Sequence, residues 1–159
     1  SHIFNLNIKK NILAKMGLSL GCDVPFFLNS NNAWVEGKGE IITNLYLKPC
    51  WFLIIFSEHI VITKNIYNLI EIPSTYIKNS YDDYLAGRTG NAFEKVIFKK
   101  YPSIKKSYDL LSEYGQPRMS GTGGTVFLKL DSLENAKKIV SSIPKNQKSL
   151  IVQSLAMDN

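Results

Sequence analysis

The 159-residue sequence has little cysteine or histidine: two of each, and no cluster of either. Cys22 and Cys50 stand far apart with no second pair, which excludes a disulfide framework and the paired spacing of a zinc site. A reduced, cytoplasmic chain with no metal held by such residues is the expectation. Long apolar runs are also missing. The most apolar window, Cys50 to Phe56 followed by Ile60-Val61-Ile62, is interrupted by Glu58 and His59 and falls well short of the roughly 20 residues of a membrane helix. No membrane partner is therefore expected, and His59, at the end of an apolar stretch, reads as structural. Acidic residues are the scarcer charge, 13 Asp+Glu against 19 Lys+Arg, for a net charge of +6. The excess is scattered in pairs such as Lys9-Lys10, Lys99-Lys100 and Lys137-Lys138. Such a balance suits anionic partners, phosphorylated metabolites among them, but a solvated lysine face accounts for it equally well.

What is present is an alternation of strand-like and helix-like segments. Trp51 to Phe56 is a continuous run of aromatic and β-branched residues, the pattern of a central strand covered on both faces. Thr63 is placed to cap a helix over Lys64 to Ile70. After Gly90, residues Phe93, Val96, Ile97 and Tyr101 recur at helical spacing, and Ile104, Tyr108 and Leu111 do so after Pro102. Two short strands, Arg118 to Ser120 and Thr125 to Leu130, flank Gly121-Thr122-Gly123-Gly124 as a hairpin. Asp131 or Ser132 opens a helix to about Ser142, and a last strand covers Ser149 to Leu155. The order strand, helices, strand, strand, helix, strand is the split βαβ arrangement of an α+β, ferredoxin-like fold. The segment from Pro73 to Gly90 reads as a surface loop.

Residues 1–48 lie outside this pattern and are too few for a domain, so they read as the tail of a preceding one, with residues 49–159 forming the next. Asn7 or Asn11 starts a short helix ending at Met16-Gly17, and Ala33-Trp34-Val35 and Glu40-Ile41-Ile42 flank a Gly37-Lys38-Gly39 turn.

Two segments carry chemistry. Gly121-Thr122-Gly123-Gly124 puts three glycines in four positions, which lets several N–H groups point one way and hold a phosphate or oxyanion. A tight hairpin turn explains the same glycines. No Lys-Ser/Thr pair follows and the segment leads into a strand, so it is neither a P-loop nor a dinucleotide fingerprint. The second segment is Leu20-Gly21-Cys22-Asp23-Val24-Pro25-Phe26-Phe27. Its lone acid, between glycine and a stiff apolar stretch, is expected to be partly desolvated and held as a base or hydrogen-bond acceptor. Capping a turn or pairing with a lysine are the competing roles for Asp23.

Together these segments carry a resemblance. Gly-Cys-Asp-Val-Pro-Phe-Phe at 21 to 27 resembles the Gly-Ala-Asp-Val-Pro signature of the 4-diphosphocytidyl-2-C-methyl-D-erythritol kinase family, with Cys22 where alanine is usual. Ala33 to Glu40 is similar to that family's Ala-x-x-x-Gly-x-Gly-Glu, and Val61 to Tyr67 to the stretch after the first strand of its second domain. Met119 to Phe127 resembles the third GHMP kinase motif, Ser-Gly-Ser/Thr-Gly-x-x-Val-Phe. The resemblance implies transfer of a phosphoryl group from ATP, with Mg²⁺, to a hydroxyl of the methylerythritol moiety, on the non-mevalonate route to isoprenoid precursors. It implies that Asp23 is the catalytic base and that Thr63 lies near substrate or nucleotide. It also implies that Ser120, Gly121, Thr122, Gly123 and Gly124 lie near the phosphates, and it names no protein metal ligand.

The departure from the family is as informative. GHMP kinases grip the triphosphate with a Gly-Leu-Gly-Ser-Ser loop at a helix N-terminus, and nothing in this sequence matches it. Lys9, Lys10 and Lys15 do not match the family's partner lysine. The expectation is a C-terminal portion of such an enzyme, inactive by itself, with the N-terminal ATP-binding segment as its missing partner. Two other readings compete. A ferredoxin-like small-molecule-binding or regulatory module would use the glycine turn without catalysis. An RNA-binding sheet shares the strand order, but Thr125 to Leu130 lacks the stacking aromatics of such sheets, so no nucleic-acid partner is expected.

Overall fold

The computed structural model describes residues 7–29, 31–70 and 78–155. The chain divides into two compact units, one up to Lys48 and the other Pro49–Leu155. Residues 1–6 and 156–159 of the two expected segments, and 73–77 of the expected loop, lie outside the described residues.

In the first unit, helix α1 (Lys10–Leu20) is followed by the short helix α2 (Val24–Asn29) and a two-stranded antiparallel hairpin, β1 (Ala33–Glu36) and β2 (Ile41–Asn44). The helix expected to stop at Gly17 continues to Leu20. Gly17 is buried, and a Cβ there would lie 3.0 Å from both Leu28 Cδ1 and Val24 Cγ1. The glycine is therefore a packing residue that lets α2 lie against α1, not a stop signal. Neither Asn7 nor Asn11 caps α1: its N-cap is Lys9, with no side-chain bond, and Asn11 lies inside the helix. Ile12, Met16 and Leu20, four residues apart on one stripe of α1, are 48%, 54% and 82% exposed.

The second unit contains a four-stranded sheet. Its elements are β3 (Trp51–Phe56), α3 (Thr63–Tyr67), α4 (Tyr81–Leu85), α5 (Glu94–Lys100), α6 (Pro102–Ser112), β4 (Arg118–Met119), β5 (Thr125–Leu130), α7 (Leu133–Ser142) and β6 (Ser149–Gln153). The sheet order is β4-β5-β3-β6 with every neighbour antiparallel. β3 and β4 run the same way with β5 between them, which is the split βαβ connection, and the fold is ferredoxin-like.

β3 is central but not covered on both faces. Leu53 and Ile55 are buried with Val126 and Leu128 of β5 and with Ile97, Ile104, Leu111 and Ile139 of the helices. Phe52, Ile54 and Phe56, on the other face, are only half-buried. The apolar run thus comes from a strand whose second face carries a half-exposed aromatic layer, including the edge-on pair Phe52 and Phe127 with ring centroids 5.9 Å apart. Pro102 at the first turn of α6 costs no hydrogen bond, and the Ser132 side chain accepts from Asn135 N to start α7.

The segment read as a loop contains α4. Ser80 and Asp83 form a reciprocal capping box, and the Arg88 guanidinium donates to Asp83 Oδ1 at 2.8 and 3.0 Å. The bonds from Ser80, with a further contribution from Arg88, hold the Asp83 carboxyl at about 2, below the usual 3.8. Because its folded pKa is depressed, the support Asp83 gives α4 is complete above about pH 4 and is lost as pH falls toward 2. Ser80→Ala is expected to move the Asp83 carboxyl midpoint, followed by carbon NMR, upward by more than Arg88→Ala does. Equal or absent shifts would contradict this account of the cap.

Candidate functional site

The glycine turn links β4 to β5 directly. Ser120 N donates to Thr125 O at 2.9 Å and Gly123 N to Ser120 O at 3.0 Å, closing the loop. Outside the turn, Ser57 N, just past the end of β3, donates to Gly124 O at 2.8 Å. Gly121, Gly123 and Gly124 take φ of 51°, 105° and 87°, the left-handed region that favours glycine. The N–H groups of Gly121, Thr122 and Gly124 donate to no described group. A hairpin turn needs only its closing bonds, so three unspent donors in four residues give the turn the character of an anion nest as well.

Thr63 meets this turn. It is not the N-cap of α3, which is Ile62, but the first helical residue. Its hydroxyl lies 2.9 Å from that of Thr122. The structure therefore brings Thr63, Ser120 and the three glycines of the sequence reading to one end of the sheet in the second unit.

Asp23 belongs to the first unit. It immediately precedes α2, and its main-chain carbonyl accepts from Phe27 N at 3.4 Å. The side chain is exposed, so the expected partial desolvation is not observed. The reason is local: Val24 and Pro25 turn away into α2, with Pro25 buried, and leave the carboxylate at the surface. Among the described residues the carboxylate neither caps the helix nor joins an ion pair. It borders an open hollow of about 550 Å³ lined also by Phe26, Phe27, Val35 and Lys38. The hollow thus unites the Asp23 segment with the hairpin of Gly37 to Gly39. Gly39 makes this possible: it is buried at φ 100°, and a Cβ there would sit 1.8 Å from the Cys22 carbonyl oxygen. Glu40, expected in a strand, lies in the turn, and its carboxylate accepts from Lys38 N.

Residues 76–149 match the family described as GHMP kinases C terminal. The chain is 37% identical over 143 residues to a 4-diphosphocytidyl-2-C-methyl-D-erythritol kinase of Buchnera aphidicola subsp. Schizaphis graminum, covering 90% of this chain and 49% of that protein. It is 33% identical over 153 residues to the kinase of the same name from Buchnera aphidicola subsp. Acyrthosiphon pisum, covering 96% and 54%. The matched residues 76–149 lie within the second unit. The chain spans about half the length of the curated relatives it matches. In fold it is similar to a crystal structure of 4-(cytidine 5'-diphospho)-2C-methyl-D-erythritol kinase, with a TM-score of 0.74, 22% identity and coverage of 96% of this chain and 59% of that one.

Within the matched residues one contact with the turn has no signal in the sequence: the Asn91 side chain donates to main-chain carbonyls at the glycine turn. A lone asparagine after Gly90 gives no local signal of bonds to residues 28 and 30 positions away. Among the described residues no group of three or more His, Cys, Asp or Glu is placed to hold a metal ion, and no helix is long and apolar enough to cross a membrane.

The turn's geometry sets an order of tolerance in this unit. A Cβ on Gly123 would approach three atoms of the fully buried Ile97 at 3.1 to 3.3 Å, whereas one on Gly121 would meet nothing within 4 Å. Gly123→Ala is expected to cost ~1–3 kcal/mol from backbone strain, with crowding of Ile97 in addition. Gly121→Ala, in open space, should cost only about 1–2 kcal/mol. Urea midpoints check the order, and a Gly121→Ala variant as unstable as Gly123→Ala would contradict it.

Proposed function

We propose that this chain supplies part of a small-molecule kinase that transfers a phosphoryl group from ATP to a hydroxyl of 4-diphosphocytidyl-2-C-methyl-D-erythritol. The observation that carries the proposal is the condition of Asp23. In a chain similar to kinases of that name, Asp23 stands at the edge of a hollow with its carboxylate, among the described residues, spent on no cap or ion pair. A hydroxyl is a weak nucleophile at neutral pH, and a carboxylate that accepts its proton as the bond to phosphorus forms lowers the barrier.

The cofactors fit the residues at hand. The unspent N–H groups of Gly121, Thr122 and Gly124 would hold phosphate oxygens of ATP, and the Thr63 and Thr122 hydroxyls stand ready beside them. ATP, accompanied by Mg²⁺, supplies the phosphoryl group. Because the described residues offer no acidic cluster for the cation, its ligands would be phosphate oxygens and groups outside the described residues.

Residues up to Lys48 are proposed to be part of the kinase's N-terminal domain. In support, the Ile12, Met16 and Leu20 stripe is of the kind a domain normally covers, and the relatives are about twice as long as this chain. The Gly-Leu-Gly-Ser-Ser loop that grips the triphosphate in GHMP kinases is absent from this sequence. The 159-residue polypeptide is therefore expected to show no turnover with the diphosphocytidyl substrate, ATP and Mg²⁺. Turnover by it alone would overturn the view that phosphate gripping depends on that loop.

In an enzyme containing both halves, Asp23→Asn should lower kcat by roughly 10²- to 10⁴-fold, the usual contribution of a general base, with unchanged thermal stability. Near-normal kcat in that variant would remove Asp23 from the mechanism. It would favour a binding module over a catalyst for this part of the chain.

A further inference from the structure

The Asn91 side chain spends its whole amide on three main-chain groups. Nδ2 donates to Met119 O at 3.0 Å and to Gly121 O at 2.7 Å, while Oδ1 accepts from Phe93 N at 2.9 Å. Phe93 is the N-cap of α5, and Met119 is the last residue of β4. One amide thus joins the start of a helix, the end of a strand and the first glycine of the turn.

We propose that Asn91 is a positioning residue that aims the N–H groups of the glycine turn outward for a phosphate, a role that rests on reading the turn as an anion site. The argument is one of peptide geometry. In a trans peptide the carbonyl and the following N–H point in opposite directions. Asn91 pulls the Gly121 carbonyl toward α5, so the N–H of Thr122 faces away from α5. The bond from Gly123 N to Ser120 O ties the preceding carbonyl in the same manner and sets the N–H of Gly121. Glycine at these positions gives the turn freedom, and freedom scatters donors; bonds from Asn91 on either side of Ser120 remove it. Donors fixed before a ligand arrives bind an oxyanion more strongly than donors that must be ordered by it.

Aspartate is isosteric at this position and can still accept from Phe93 N, but it faces the Met119 and Gly121 carbonyls with an oxygen instead of a donor. Alanine removes all three bonds without adding charge. The test uses the 159-residue chain, amide relaxation by ¹⁵N NMR, and titration with inorganic pyrophosphate. Both Asn91→Asp and Asn91→Ala are expected to lower the order of residues 120–124 while β5 and α5 stay as ordered as before, and to weaken pyrophosphate binding at the Gly121, Thr122 and Gly124 amides by about tenfold.

An unchanged turn and unchanged affinity in both variants would overturn the proposal. So would a loss of order spread over the whole sheet, since Asn91 would then be a general structural residue. If alanine prevents folding, the aspartate variant, which keeps the bond from Phe93, decides alone. If the unsubstituted chain shows no pyrophosphate-dependent shift at the turn, the anion-site reading fails, and with it the phosphate half of the proposal. The relaxation measurement then still decides whether Asn91 orders the turn.

Discussion

The second unit depends on the way β3 is held. It pairs along its length with β5 on one side and with β6 on the other, and Leu53 and Ile55 enter the apolar layer under the helices. Burying side chains of that size contributes about 1.5–3 kcal/mol each. The antiparallel pairing also sets positions. Phe56, the last residue of β3, stands opposite Thr125, the first of β5. Ser57, the next residue, bonds to Gly124. The end of the central strand and the end of the glycine turn are thus stitched together by the same ladder that builds the core. The glycine turn is thus carried at the end of the paired sheet, although its own residues are flexible by composition.

A turn with three glycines in four positions has only the Thr122 side chain to help fix its shape and must borrow most of its order from neighbours. Here the neighbours are main-chain groups of the hairpin, Ser57 and the amide of Asn91. Thr63 adds a hydroxyl from the start of α3, which packs its buried Ile66 into the same core as Ile97. Packing, hydrogen bonding and the exposure of unspent donors are therefore consequences of one arrangement: apolar side chains anchor the elements, and the elements anchor the loop.

The strand and helix order of the second unit was legible in the sequence because period and punctuation agree there: Pro102 opens a helix, Ser132 caps one, and the glycines interrupt two strands. Local rules failed where a long-range contact decides. Gly17 looks like a stop signal but is required by the approach of α2. Thr63 looks like a cap, but its hydroxyl faces Thr122. The helix at Tyr81–Leu85 has no apolar stripe long enough to register, and its only signal was the Ser80 and Asp83 spacing inside a polar stretch. The run Trp51 to Phe56 reads as doubly buried because aromatic residues on a half-exposed sheet face are indistinguishable from core residues in composition. The chemistry proposed for these residues was legible only through resemblance, since neither Asp23 nor the three glycines of the turn point to a kinase by themselves.

The approach of Gly39 to the Cys22 carbonyl has a genetic consequence. The wall between the hairpin and Asp23 is made of main chain, so a change of side chain at position 22 leaves the contact unaltered. A lesion at position 39 instead displaces the peptide from which Asp23 hangs. Suppressors of such a lesion should arise in the neighbouring turn residues Gly37 and Lys38, and not in the Cys22 side chain, because the lesion crowds the Cys22 main chain.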